Sequence, residues 1–123
     1  MKKILIVEDE KILMDMYKDK FVQVGFNVVT ASSAEEGLEK VVKENPDLVL
    51  LDILLPKGNG ISFLKKLRKD PKTSFVVVVA FSNFDDPEVK AEALSLGVKD
   101  YLLKTNYTPQ EIIDRIKIYA KNS

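Results

Sequence analysis

Short apolar runs alternate with segments of helical period five times along this chain, at about 25 residues per repeat. The runs cover residues 4–7, 26–29, 48–51, 75–81 and 101–103, and they are rich in Val, Ile, Leu and aromatic residues. Continuous apolar character, without polar alternation, marks strands covered on both faces. Asn27 interrupts the second run and predicts an edge position for it. Strands alternating with helices require a parallel sheet with helices packed on both sides.

The intervening helices carry their own start and stop signals. Over 10–24, Leu13, Met16, Tyr17, Phe21 and Val24 recur at spacings of three and four, and Gly25 supplies a stop. Over 33–44, Ser33 and Glu36 predict a capping box, Ala34, Leu38, Val41 and Val42 a buried stripe, and Asn45-Pro46 an end. Ile61, Leu64 and Leu67 mark a helix over 60–69, closed by Asp70-Pro71. Over 87–96, Pro87 suits the first turn, Val89, Ala93 and Leu96 face inward, and Gly97 caps the end. Over 109–121, Thr108, Pro109 and Glu111 form the start, with Ile112, Ile113, Ile116 and Ala120 facing the core. The expectation is a single α/β domain over 1–123, with a doubly wound five-stranded parallel sheet and five helices.

Composition then narrows the chemistry. The 123 residues include no Cys and no His. That excludes disulfides, thiolate metal sites, cysteine nucleophiles, imidazole bases and His-ligated metals. Lys and Arg total 19, as do Asp and Glu, so zero net charge gives no general draw toward nucleic acid. The longest apolar run is far too short to cross a bilayer, and the start lacks the apolar stretch of a signal peptide. A cytoplasmic protein without direct nucleic-acid or membrane contact is expected.

In an open parallel sheet, sites form beyond the carboxyl ends of the strands. There the first strand presents Glu8 and Asp9, the third Asp52, the fourth Ser82 and Asn83, and the fifth Lys104. Singly, each has a plain structural explanation: helix-dipole charge, turn former or surface polarity. Together, at one end of adjacent strands, they read as a site. Glu8 and Asp9 share it only if the first strand ends before residue 8. Two carboxylates about 4 Å apart repel by about 4 kcal/mol near a protein surface. Three of them with one Lys need a divalent cation or a raised pKa. Oxygen ligands alone suit Mg²⁺, with Mn²⁺ as a substitute.

These residues carry a resemblance to the receiver domain of bacterial two-component response regulators. It rests on residues 4–10 (ILIVEDE) and 52–60 (DILLPKGNG), on Ser82 30 residues after Asp52, on Lys104 22 residues after Ser82, and on Tyr101 three before Lys104. The resemblance implies a sheet order 2-1-3-4-5. It implies Asp52 as phosphoacceptor, taking a phosphoryl group from a phosphohistidine of a sensor histidine kinase or histidine phosphotransfer protein. It also implies Mg²⁺ held directly by Asp9 and Asp52, through water by Glu8, and by the backbone carbonyl of Leu54. Lys104 would pair with Asp52 at rest and with phosphoryl oxygens afterwards. Ser82 would hydrogen-bond the phosphoryl group as Tyr101 turns inward, changing contacts with a downstream protein target or output domain. Such a protein is a signalling phosphoacceptor and not an enzyme acting on other substrates.

The chain departs from the family pattern in three places. Thr105 follows Lys104 where a proline with a cis bond is usual, so a trans bond is expected, because the cis form costs about 2.5–4 kcal/mol without proline. Asn83 stands where a small residue is usual, which bears on access to the phosphoryl group. Apolar Leu54 and Phe84 occupy positions that tune hydrolysis, and predict a long-lived phosphoryl state. Rival readings fit less well. A flavin mononucleotide carrier would place phosphate against Glu8-Asp9-Glu10, which repels it. A dehalogenase-type phosphatase would want a carboxylate at position 54. A receiver-like interaction module that is never phosphorylated is the remaining alternative, although such modules usually lose an acid, the hydroxyl or the Lys.

Overall fold

The structure, a computed structural model, describes residues 2–55, 59–83 and 85–121, with Asn59 described by its backbone alone. The elements in chain order are β1 (Lys3–Val7), α1 (Lys11–Gln23), β2 (Asn27–Ala31), α2 (Ala34–Glu44) and β3 (Leu48–Asp52). They continue as α3 (Asn59–Lys69), β4 (Val77–Ser82), α4 (Pro87–Ser95), β5 (Asp100–Leu103) and α5 (Pro109–Lys121). The five strands form one parallel sheet in the order β2-β1-β3-β4-β5. Asn27 is exposed on the β2 edge, as its interruption of the apolar run predicts.

Each face of the sheet has its own core, which is why the central strands show no polar alternation. Ile4, Ile6, Leu48 and Leu50 point to one face, where Tyr17 and Phe21 of α1 and Ile112, Ile113 and Ile116 of α5 cover them. Leu5, Val7, Val49 and Leu51 point to the other, beneath Val41 of α2, Phe63, Leu64 and Leu67 of α3, and Ala93 of α4.

Thr108 and Glu111 close a reciprocal capping box: Glu111 N–H donates to Thr108 Oγ1 (3.1 Å) and Thr108 N–H to Glu111 Oε1 (2.9 Å). At α2, Glu36 N–H donates to Ser33 Oγ, but Glu36 Oε1 accepts from Ser32 N–H, one residue earlier than the box predicts. Asn45 ends α2 in the left-handed region at φ 50°. Gly97 follows α4 at φ 83°.

Several expectations about stripes and element ends need correction. Val24 and Val42 are exposed: Val24 lies beyond the last turn of α1, and the buried stripe of α2 runs through Gly37 and Val41. Phe63 joins the core beside Leu64 and Leu67. Strand β4 starts at Val77, and Phe75 is 74% exposed. Arg68 Nη1 donates to the carbonyls of Ser74 and Val76, and Val76 N–H to Thr73 O, so this stretch is held as a turn. Strand β2 starts one residue later than predicted, because Phe26 N–H closes the end of α1 on Phe21 O.

Gly60 locks the start of α3 onto the turn after β3. Its N–H donates to Ile53 O at 2.8 Å, and a Cβ there would lie 2.6 Å from the Ile53 Cα. No other residue fits that approach. Among the described residues no helix is long and apolar enough to cross a membrane.

Candidate functional site

Strand β1 ends at Val7, and Glu8 N–H donates to Ala31 O at 3.0 Å. The chain bends one residue later, at Asp9, which lets two consecutive acids serve one site. Carboxylate oxygens of Glu8, Asp9 and Asp52 all lie within 4.8 Å of one another. Glu8 is fully buried, Asp52 nearly so, and Asp9 is exposed. Asp52 Oδ1 accepts from the N–H of Leu54, which sets the carboxylate's orientation from its own turn.

Strand register explains what else reaches this cluster. Asp52 is the register partner of Phe81, and neighbouring residues in register share a face. Lys104 continues the parity of Leu102, which packs on the α1–α5 side with Phe81. Its N–H donates to Ser82 O at 2.7 Å, fixing the start of its side chain. The ammonium then lies 3.2 Å from Glu8 Oε1, 3.6 Å from Asp52 Oδ2 and 4.4 Å from the centroid of the Phe81 ring, over its face. The ammonium thus pairs with Asp52, as the resemblance implies, and lies nearer still to Glu8.

Burial pushes the Glu8 carboxyl up to about 9; Asp52 beside it adds to the rise and Lys104 opposes it. Glu8 Oε2 is enclosed with no hydrogen-bond partner among the described residues. A buried orphan oxygen in an all-oxygen donor cluster is what a hard divalent cation satisfies, so the residues present fit Mg²⁺.

Ser82 is buried at the end of β4, on the opposite face from Phe81. Tyr101 is the register partner of Ala80, two residues before Ser82, and packs in the core on that face. Its ring is already buried; burial raises its phenol pKa, and Ser82 offsets part of the rise. Asn83 and Leu54 are exposed beside the site. No cis peptide bond occurs among the described residues, so Lys104–Thr105 is trans as expected. Phe84 and residues 56–58 lie outside the described residues.

Phe81 and Tyr17 have the pattern of core residues in the sequence, and the structure adds them to the surroundings of the site. Tyr17 meets Phe81 edge to face, with ring centroids 5.6 Å apart. The available signal was parity: an aromatic residue directly before Ser82 must face the side from which Lys104 enters.

The response regulator receiver domain model matches residues 4–117. The chain is 37% identical to the alkaline phosphatase synthesis transcriptional regulatory protein PhoP of Bacillus subtilis, over 99% of this chain and 50% of that protein. It is 35% identical to the transcriptional regulatory protein CpxR of Escherichia coli, over all of this chain and 51% of that one. It therefore spans about half the length of the curated relatives it matches. Among solved structures, the Francisella response regulator 1452 receiver domain superimposes with a TM-score of 0.88 at 33% identity, covering 99% of this chain and 98% of that one. A CheY-like receiver domain protein from Methanospirillum hungatei gives 0.91 at 29%, with 99% and 95% covered. With the sheet order, the acid cluster and the buried lysine already in place, the chain belongs to the response regulator receiver domain family.

Proposed function

We propose that residues 1–123 form one receiver unit that accepts a phosphoryl group on Asp52 in two-component signalling. The observation that carries this reading is the convergence of Glu8, Asp9 and Asp52 on one point, with the Lys104 ammonium between two of them. Three acids at that range are costly to hold together without a cation or a shared proton, which suits a site that binds a divalent ion.

In the proposed step an Asp52 oxygen bonds to phosphorus as the P–N bond of a donor phosphohistidine breaks, and the electron pair leaves with the imidazole nitrogen. The chain has no histidine, so the donor imidazole belongs to another domain or protein, a sensor kinase or phosphotransfer protein. Asp9, Asp52 and the Leu54 carbonyl would hold Mg²⁺ or Mn²⁺ directly, and Glu8 through water. When bound, that cation neutralises charge on the phosphoryl oxygens. Lys104 exchanges its carboxylate partners for a phosphoryl oxygen. Ser82 donates its hydroxyl to another, and buried Tyr101 carries the change to the α4–β5–α5 face, where a downstream protein or output domain reads it.

The chain thus assists only its own phosphorylation and dephosphorylation, and works in the cytoplasm with kinase and target. Exposed Leu54, with Phe84, slows water attack and lengthens the phosphoryl lifetime; a half-life of seconds would contradict that part. Intact-mass measurement after treatment with acetyl phosphate and Mg²⁺ tests the proposal. One phosphoryl group on the wild type and none on Asp52→Asn is expected; equal labelling of both contradicts it.

A further inference from the structure

The Lys104 side chain is only 8% exposed, and among the described residues its ammonium lies against Glu8, Asp52 and the Phe81 ring. Two of these change during the proposed reaction. Asp52 becomes an acyl phosphate, a mixed carboxylic–phosphoric anhydride, and Glu8 would meet a bound cation through water. The ring does not change. It is fully buried in β4, beside Ser82 and in register with Asp52, and Tyr17 of α1 packs edge to face with it at an interplanar angle of 76°.

We propose that Phe81 is a positioning residue for phosphoryl transfer, its ring face holding the Lys104 ammonium within reach of the phosphoryl oxygens while the carboxylates exchange partners. This deepens the reading of Asp52 as phosphoacceptor and rests on it. A lysine has four rotatable bonds and a compact charge, so carboxylates alone leave it free to follow whichever acid is most negative. A desolvated ring face attracts a cation without offering an acceptor that competes for its N–H donors. The ammonium can therefore turn its protons to the phosphoryl group without leaving its seat. Tyr17 keeps the ring from rotating away. A leucine at position 81 would fill much of the same core and supply none of this electrostatic hold.

The test compares wild type, Phe81→Leu and protein carrying 3,4,5-trifluorophenylalanine at position 81. Fluorination drains the negative ring face and keeps the shape of the side chain. Phosphorylation by acetyl phosphate with Mg²⁺ is followed at saturating donor, and the Lys104 CεH₂ resonances are recorded in metal-free protein. Phe81→Leu is expected to lower the rate constant about tenfold with the donor KM unchanged, and the fluorinated ring to lower it severalfold in the same direction. The Lys104 methylene is expected upfield in wild type and at its ordinary position in Phe81→Leu. A fluorinated protein as fast as wild type, or a loss confined to KM, overturns the assignment to Phe81 while labelled wild type leaves the Asp52 reading intact. Wild type that takes up no label overturns the Asp52 reading itself, and with it this role for Phe81.

Discussion

Lys104 Nζ lies 3.2 Å from Oε1 of Glu8, a carboxyl group with no solvent exposure. The pair sits where desolvation favours the neutral acid and the ammonium favours the carboxylate. Desolvation dominates, and the Glu8 pKa rises from 4.5 to about 9. A carboxyl group whose folded pKa is raised binds its proton more tightly in the fold than in the unfolded chain. Its contribution to stability is complete below about pH 4.5 and is lost as the pH climbs through about 9. Urea unfolding of metal-free protein is expected to show a Glu8 contribution that falls between roughly pH 4.5 and 9. Glu8→Gln should flatten that slope, and Mg²⁺ should stabilise wild type more at high pH than at low. Identical slopes in wild type and Glu8→Gln would contradict the buried-acid description.

Lys104→Met removes the cation that opposes this rise and that would meet the phosphoryl oxygens. Labelling by acetyl phosphate should slow about 100-fold, by analogy with the loss of one preorganised charge-stabilising donor. The modified residue should still be Asp52. A variant that labels at the wild-type rate would remove Lys104 from the reaction.

Gly60→Ala places a methyl group against the Ile53 backbone, at 2.6 Å from its Cα. Backbone cannot yield as a flexible side chain does, so a loss of about 1–3 kcal/mol is expected in chemical denaturation. The displacement would fall on the turn that follows Asp52, and labelling should slow as well.

Arg68 offers the contrasting case at the opposite end of the sheet. Its guanidinium donates to the carbonyls of Ser74, Val76, Leu96 and Gly97, tying the turn before β4 to the end of α4. Arg68→Met should cost roughly 1.5–3 kcal/mol in urea and leave the labelling rate unchanged. A slowed reaction would show coupling between the two ends of the sheet.

Much of this was legible in the sequence because apolar character and helix caps are local. The five apolar runs gave the strands, and Thr108 with Glu111 gave the start of α5 to the residue. Glu8, Asp9, Asp52 and Lys104 are legible as one cluster because strand ends in a parallel sheet converge by topology. What stayed hidden depended on tertiary partners. Phe75 reads as strand until the Arg68 guanidinium, distant in sequence from part of what it binds, holds the carbonyls around it in a turn. The preference of Lys104 for Glu8 over Asp52 follows from side-chain reach, and the seat on Phe81 from sheet register. Neither can be seen in composition or spacing.

The measurement that bears most directly on the phosphoacceptor is borohydride trapping. Protein labelled with acetyl phosphate and Mg²⁺ is reduced, digested and mapped by mass spectrometry, since an acyl phosphate on aspartate is reduced to homoserine. Homoserine at position 52 alone, absent when Mg²⁺ is withheld, is the expected result. Homoserine at another aspartate, or none despite phosphoryl uptake, would contradict the assignment of Asp52.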